Sequence, residues 1–154
     1  GKAKKPSVSV VDAEGNALLE GSDYKVTYAS GRKNVGKYKV TVKFMDKYDG
    51  TLSKTFVINP KSTKLSKVTG AKKKITVKWK KQSTQTTGYQ IQYGTKSSFK
   101  GAKTTTITKN KTTSKTISKL KAKRKYYVRI RTYKTVSGKK YYSTWSAKKS
   151  VKTK

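Results

Sequence analysis

Apolar and polar side chains alternate along several short segments of the chain, as they do in a β-strand with one buried face. In the N-terminal part, this alternation predicts strands at Tyr24–Tyr28 and at residues 38–44, and a further strand over Thr51–Ile58. Residues 7–11 (SVSVV) are a run of β-forming residues and predict an earlier strand. Residues 1–59 therefore read as a small β module made of short strands.

The same two-residue period continues through the C-terminal part of the chain. The predicted strands there cover residues 74–80, 88–93, 104–109, 114–120 and 125–134, with residues 141–151 closing the module. About seven strands separated by turns predict a β-sandwich over residues 64–154. No stretch repeats apolar residues at helical spacing, so the predicted fold class is all-β, with two β-sandwich modules in tandem.

The alternation also predicts which side chains of the second module face its core. Trp79, Tyr89 and Ile91 lie on the inward parity of their strands, as do Tyr126 and Val128. The predicted core comprises Trp79, Tyr89, Ile91, Leu120, Tyr126 and Val128.

Charge divides the chain at the same place as the strand pattern. The chain has 154 residues with 40 Lys or Arg, six Asp or Glu and a net charge of +34. All six acids lie in the first 49 residues, whereas residues 60–154 carry 29 basic residues and no acid. A shift this sharp indicates two independently built modules. Asn59 and Pro60 favour a turn, so residues 60–63 are predicted to be a linker between modules 1–59 and 64–154.

The first module resembles a small Ig-like β module that recurs in tandem in Firmicutes surface proteins. The resemblance rests on Gly-Ser-Asp-Tyr at residues 21–24, Asn-Val-Gly at 34–36, Tyr-Asp-Gly-Thr at 48–51 and Lys-Thr-Phe-Val-Ile at 54–58. Members usually carry a strand before the segment that occupies residues 1–6 here. The resemblance therefore implies that this copy lacks its first strand.

The second module resembles a fibronectin type III domain. Three features in order carry this resemblance: Trp79 on the second strand, Tyr-Gln-Ile-Gln-Tyr at residues 89–93, and Leu120 six residues before Tyr126. The resemblance implies a tyrosine corner, in which the Tyr126 hydroxyl hydrogen-bonds to nearby backbone. It also implies a secreted or surface protein acting as a spacer or adhesion module. The Arg-Gly-Asp tripeptide that some members use for cell attachment is absent, and the acid-free surface departs from most members.

The residue inventory argues against catalysis. The chain has no His and no Cys, which removes the commonest general base, the thiol nucleophile and the soft metal ligands. Asp12, Glu14, Glu20 and Asp23 lie near predicted turns and follow no calcium-ligand spacing, so turn caps are favoured over a calcium site. No phosphate-binding glycine loop is present. We therefore expect a protein that is not an enzyme and has no catalytic residues, metal or cofactor.

The basic surface is the one feature of the sequence that indicates a possible binding activity. One interpretation is attraction to a polyanion such as teichoic acid, an acidic glycan or nucleic acid, with Arg129, Arg131, Lys139 and Lys140 as candidate contacts. The other is a solvated, self-repelling surface that keeps the module soluble and blocks pairing of strand edges, with lysines spread over all faces. Only four of the 40 basic residues are Arg, which disfavours a dedicated nucleic-acid reader.

A second set of aromatic residues lies outside the predicted core. Tyr127, Tyr133, Tyr141, Tyr142 and Trp145 form either a stacking platform for a sugar or a cover for the ends of the sandwich.

Together these patterns predict a non-catalytic structural or adhesion segment of a bacterial cell-surface protein. It would act as a rigid spacer or interaction module in the cell wall or on the cell surface. Its expected partners are neighbouring domains of a longer chain and an anionic cell-wall polymer or glycan. A binding module for anionic polymers is the alternative function. No apolar run approaches the roughly 18 residues of a membrane span.

Overall fold

The computed structural model describes residues 2–154 and confirms the predicted all-β fold class. The described residues form eleven strands and no helix. The chain divides into two compact units, Gly1–Ile58 and Asn59–Lys154. None of the described residues belongs to a helix that is long and apolar enough to cross a membrane.

The first unit is built on one antiparallel sheet. Its strands β1 (Tyr24–Tyr28), β2 (Gly36–Phe44) and β3 (Thr51–Ile58) are arranged in the order β1-β2-β3. The buried side chains of Leu18, Tyr24 and Val42 form its core, and Val8 and Val10 pack against them. A segment that precedes the sheet therefore covers one of its faces and makes the second layer of the unit.

The strand predicted for residues 7–11 is wrong. Only an isolated bridge between Val11 and Ala17 is present there, beside a hydrogen bond of 2.9 Å from Leu18 N to Val10 O. The chain folds back at Asp12, whose carboxylate accepts hydrogen bonds from the backbone N–H groups of Glu14 and Asn16. The valines of this segment contribute side chains to the core, but their backbone finds no strand partner in the sheet.

The second unit is a sandwich of two sheets. One sheet has the order β4-β5-β8, with β4 at Leu65–Ala71, β5 at Lys74–Trp79 and β8 at Ser114–Ile117. The other has the order β10-β9-β6-β7, and β11 also pairs with β9. Its strands are β6 (Gly88–Gly94), β7 (Lys103–Ile107), β9 (Lys125–Val136), β10 (Lys139–Tyr142) and β11 (Lys149–Lys152). The unit has eight strands against about seven predicted. The ranges predicted from the sequence do not include β4, and residues 141–151 contribute to two short strands, β10 and β11.

The core of the second unit lies between the two sheets. Trp79 of β5 packs on Tyr89 of β6, with ring centres 5.3 Å apart. Trp79 is 3% exposed, Tyr126 is 7% exposed, and Tyr89, Ile91 and Val128 are fully buried. Leu120 is half-buried and packs against the edge of this cluster. The two-residue period of β5, β6 and β9 directs the core side chains of these three strands inward.

Residues 60–63, predicted as a linker, lie within the second unit. The carbonyl of Lys61 accepts a hydrogen bond of 2.6 Å from the Thr132 hydroxyl. The carbonyl of Ser62 accepts one from the side-chain amide of Gln82, and the Thr63 hydroxyl donates to the carbonyl of Lys80. Three consecutive residues are thus tied to the sandwich by polar groups that apolar patterning does not reveal.

Candidate functional site

The outward face of β9 carries a line of cationic and aromatic side chains. Alternate residues of this strand point to opposite faces of the sheet, so the residues between the core positions share its outer face. The outward residues are Tyr127, Arg129, Arg131 and Tyr133. The sequence places two arginines beside each other here because they are two positions apart.

Arg129 and Arg131 each lie between two aromatic rings. The guanidinium carbon of Arg129 is 4.2 Å from the ring centre of Phe99 and 4.8 Å from that of Trp145. The guanidinium carbon of Arg131 is 4.4 Å from the ring centre of Trp145 and 3.9 Å from that of Tyr142. These distances fall within the range of cation–π attraction. We call these five side chains the cationic stack.

Two glutamines of the neighbouring strand hold the arginines in the cationic stack. Gln92 pairs with Arg129 and Gln90 with Arg131 in the register of β6 and β9. The Gln92 side-chain oxygen accepts a hydrogen bond of 2.7 Å from Arg129 Nε. The Gln90 side-chain oxygen accepts bonds of 3.0 and 2.7 Å from Nε and Nη2 of Arg131. Both guanidinium groups are therefore fixed by neutral partners.

Arg131 lies in an environment that disfavours its positive charge. Burial lowers the pKa of Arg131, and the neighbouring charge of Arg129 lowers it further, whereas Tyr142 acts in the opposite direction. Arginine remains protonated at neutral pH in any protein environment. Residues 60–154 contain no acid, so no carboxylate of this unit compensates the two charges.

Trp145 reaches the stack because residues 143–146 pair with β9 through two serines. The Ser143 hydroxyl accepts a hydrogen bond of 3.1 Å from Thr132 N, and the Ser146 hydroxyl accepts one of 3.1 Å from Ile130 N. The backbone N–H groups of the same serines donate to the carbonyls of Thr132 and Ile130. At two points a serine hydroxyl thus accepts the β9 hydrogen bond that a main-chain carbonyl would accept in a regular sheet. Trp145 lies between these two serines in the sequence.

An open groove adjoins the indole of Trp145. It has a volume of about 430 Å³ and is lined by Lys64, Lys148 and Lys149 together with residues 62–65 and 145–147. Lys148 Nζ donates a hydrogen bond of 3.3 Å to Ser97 O, and Lys149 Nζ donates one of 3.0 Å to Ser66 O. These bonds fix the positions of the two ammonium groups, and the lining of the groove is basic and has no carboxylate.

The four candidate polyanion contacts occupy two places. Arg129 and Arg131 belong to the cationic stack, whereas Lys139 and Lys140 lie at the hairpin between β9 and β10. Lys140 Nζ is 5.3 Å from the ring centre of Tyr133, which in turn contacts Tyr142 of the stack with ring centres 6.1 Å apart. Lys139 Nζ lies 5.8 Å from the ring centre of Tyr141. Lys140 thus borders the stack, and Lys139 contacts a ring outside it.

The outward aromatic residues do not form an open platform for a sugar. Tyr133 is only 2% exposed, and its burial raises the pKa of its hydroxyl. Guanidinium groups lie over the rings of Trp145 and Tyr142. The rings of Tyr142 and Trp145 are therefore used within the protein, which favours the alternative of a cover over that of a stacking platform.

Several residues of this face were missed at the sequence level. Gln90 and Gln92 could have been found, because their parity on β6 places them on the outer face. Phe99 lies in the segment between β6 and β7, where no periodicity predicts that its ring reaches Arg129. The roles of Ser143 and Ser146 depend on their register with β9, which the sequence does not encode in any local pattern.

Lysine and arginine differ in their distribution over the second unit. Exposed lysines occur in both sheets, in every strand except β6: Lys67, Lys74, Lys78, Lys103, Lys115, Lys125, Lys139, Lys140, Lys149 and Lys152. Arginine occurs three times in this unit, at positions 124, 129 and 131, and two of the three belong to the cationic stack. The lysines are spread as a solubilising surface requires, whereas the guanidinium groups are concentrated.

The acidic residues of the first unit act at turns. Asp12 accepts hydrogen bonds from Asn16, whose side chain is the main reason that the pKa of Asp12 is lowered. Asp23 accepts one of 2.8 Å from Leu19 N, and Asp49 accepts one of 2.6 Å from Gly50 N. Within residues 2–154, no three acidic side chains come close enough together to hold a metal ion.

Comparison with known proteins identifies the second unit. A family model described as "Fibronectin type III domain" matches residues 58–149, which is more than half of the chain. The crystal structure of the FN1–FN3 domains of chicken CNTN1 is similar to this chain, with a TM-score of 0.53 and 20% sequence identity. The match covers 78% of this chain and 43% of that chain, so this chain spans less than half of that structure.

At that level of identity the likeness to the chicken protein shows a shared fold. No curated protein matches the chain. The match of the family model confirms the resemblance based on Trp79, residues 89–93 and the pair Leu120 and Tyr126. The chain therefore belongs to the fibronectin type III domain family.

Proposed function

We propose that the chain is a non-catalytic structural and adhesion segment of a bacterial cell-surface protein, in which two β units act in series as a rigid spacer. Membership of the fibronectin type III family supports a structural or interaction module. The sequence of the first unit supports the surface location, because residues 21–24, 34–36 and 48–51 resemble an Ig-like repeat of Firmicutes surface proteins.

The chemistry of the chain supports a role without catalysis. It has no His or Cys, and its acids lie in the first 49 residues. Asp12, Asp23 and Asp49 accept hydrogen bonds from turn residues. In the second unit, Arg129 and Arg131 are held by rings and glutamines rather than beside a general base.

The junction of the two units is the observation that carries the spacer proposal. Strand β3 ends at Ile58, and Lys61 is already hydrogen-bonded to Thr132. Only Asn59 and Pro60 lie between these two fixed points. Proline restricts its own φ angle and disfavours helical conformations of the residue before it. A junction of two residues that includes a proline supports the proposal of a rigid spacer.

Pulsed electron–electron resonance between spin labels tests the stiffness of the junction. The chain has no cysteine, so labels can be placed at Lys39→Cys in β2 and Lys115→Cys in β8, both exposed strand positions. We expect one narrow distance distribution. The matched control inserts Gly-Ser-Gly after Asn59, which introduces flexible residues and should broaden the distribution. A broad distribution in the unmodified junction would refute the rigid spacer.

A further inference from the structure

We propose that the cationic stack and the adjoining basic groove bind a polymer of polyol phosphates, such as the anionic polymers of a cell wall. The inference deepens the proposed function and rests on its surface location. It assigns a partner class to one face of the second unit, rather than to the positive charge of the chain as a whole.

The distribution of basic residues singles out this face. Exposed lysines occur in both sheets of the second unit, so their positions favour no particular surface. Arg129 and Arg131 are different, because they lie side by side on β9 and share the ring of Trp145. Arginine presents a planar set of donors that matches phosphate oxygens, which a lysine ammonium cannot do. Two neighbouring arginines on a surface that is otherwise rich in lysine indicate that this part of the surface recognises a ligand.

The two guanidinium groups are also held in place in advance of binding. Rings cover their faces, and Gln90 and Gln92 hold their Nε atoms through bonds of 3.0 and 2.7 Å. Binding therefore costs less side-chain conformational entropy, because both arginines are already ordered. Neighbouring outward positions on a strand repeat at roughly 6.5 Å, so the stack offers two cations in a row along β9.

The charges of this face lack a compensating anion. Residues 60–154 have no acid, and burial lowers the pKa of Arg131. Lys148 lies 5.8 Å from the ring centre of Tyr127, and it lines the groove with Lys64 and Lys149. An anionic group bound here would relieve the repulsion between these cations. A chain with one negative charge per repeat can engage the stack and the groove at the same time.

The arrangement of the rings separates this partner from nucleic acid. Proteins that bind single-stranded nucleic acid stack its bases on exposed aromatic faces. The rings of Trp145, Phe99 and Tyr142 instead contact guanidinium groups. A polymer without bases needs cationic donors rather than free ring faces, and Arg129 and Arg131 are both partly exposed. The observations therefore favour a polyol phosphate.

The test measures binding of a synthetic poly(glycerol phosphate) oligomer to the full chain by calorimetry, at an ionic strength of about 0.15 M. The main variant is Arg129→Lys with Arg131→Lys, which keeps both charges and removes the planar donors. The control is Lys67→Gln with Lys78→Gln, which removes two charges from exposed, paired positions of the other sheet. Heparin and a single-stranded oligonucleotide are titrated in parallel.

We expect the arginine variant to bind the oligomer at least about tenfold more weakly, because charge-assisted hydrogen bonds are lost. The control should bind within about threefold of the unmodified chain, as expected for the loss of screened surface charges. Equal losses in the two variants would overturn the proposal, because they would show counterion release from the whole surface. Stack-dependent binding of heparin or the oligonucleotide alone would overturn the choice of partner.

A second variant keeps the test valid if the arginine changes disturb the fold. Lys64→Gln with Lys148→Gln alters exposed residues of the groove and leaves the cationic stack intact. We expect this variant, like the arginine variant, to bind the oligomer more weakly than the unmodified chain. Unchanged affinity would overturn the role of the groove. The spin-label distances test the spacer independently of binding. Failure of either proposal can therefore be distinguished from failure of the other.

Discussion

The Tyr126 hydroxyl accepts a hydrogen bond of 3.0 Å from the backbone N–H of Lys121. Tyr126 is buried near the start of β9, so the bond ties the turn before this strand to the core. Thr153 holds the same turn from the C-terminal end, since its hydroxyl donates to Lys121 O at 2.7 Å and accepts from Arg124 N at 3.1 Å. This is the tyrosine corner that the spacing of Leu120 and Tyr126 implies.

Tyr126→Phe should remove this bond while preserving the packing of the ring. Because the N–H of Lys121 loses its acceptor, we expect the free energy of unfolding to fall by about 1–2 kcal/mol. Urea denaturation followed by circular dichroism measures the change. Tyr141→Phe is the matched control, since Tyr141 is half-buried and its contact is the ammonium group of Lys139. Equal effects of the two substitutions would contradict a special role for the corner.

Trp79 is expected to be the largest single contributor to the core. Trp79→Ala should lower the free energy of unfolding by about 3–5 kcal/mol, since it empties a buried site next to Tyr89. A loss below about 1 kcal/mol would place the core elsewhere. Among the described residues, Trp79 Nε1 is a buried donor without a hydrogen-bond partner. Trp79→Phe removes this donor, so it should cost much less than Trp79→Ala.

Ser143 is expected to stabilise the attachment of residues 143–146 to β9. Ser143→Ala deprives Thr132 N of its side-chain acceptor in a buried position, so we expect a loss of about 1–2 kcal/mol in unfolding free energy. The indole of Trp145 should also become more accessible, which quenching of tryptophan fluorescence by acrylamide can detect. Ser150→Ala, at an exposed position of β11, is the control and should change neither quantity.

Tyr133 is expected to make the stability of the second unit depend on alkaline pH. Burial raises the pKa of its hydroxyl above the ordinary value, so the folded state favours the neutral phenol. This contribution is fully present below the pKa of the unfolded chain, about 10, and is lost as pH rises above it. Tyr133→Phe should therefore show a smaller fall of stability above this pH. Parallel stability curves for the two proteins would contradict the prediction.

The strand pattern predicts those parts of the fold in which side-chain direction follows sequence parity. Tyr24–Tyr28 alternates and forms β1. Residues 7–11 have β-forming composition, yet only an isolated bridge involves them, because composition does not show whether a partner strand is in reach. The strand pattern also does not predict polar contacts, because the partners can lie far apart in the sequence. Thr132 lies 71 residues from Lys61, and no local signal predicts their hydrogen bond.

The sequence predicts the charge of the candidate site through its two arginines. Their spacing on β9 and the acid-free composition indicate a positive outer face. Phe99 and Trp145 come from irregular segments, so their position over the guanidinium groups depends on tertiary packing. The sequence therefore indicates where positive charge lies, and the structure shows that rings and glutamines organise it.

The most direct test of the structural role is to pull the chain from its two ends by single-molecule force spectroscopy. A spacer of two stable units should unfold in two separate events. The contour length should increase by roughly 300 Å for the 96 residues of Asn59–Lys154 and by roughly 180 Å for Gly1–Ile58. The control variant Trp79→Ala should lower the force of the larger event only. Extension without resolved unfolding forces, or a single event for both units, would contradict the account.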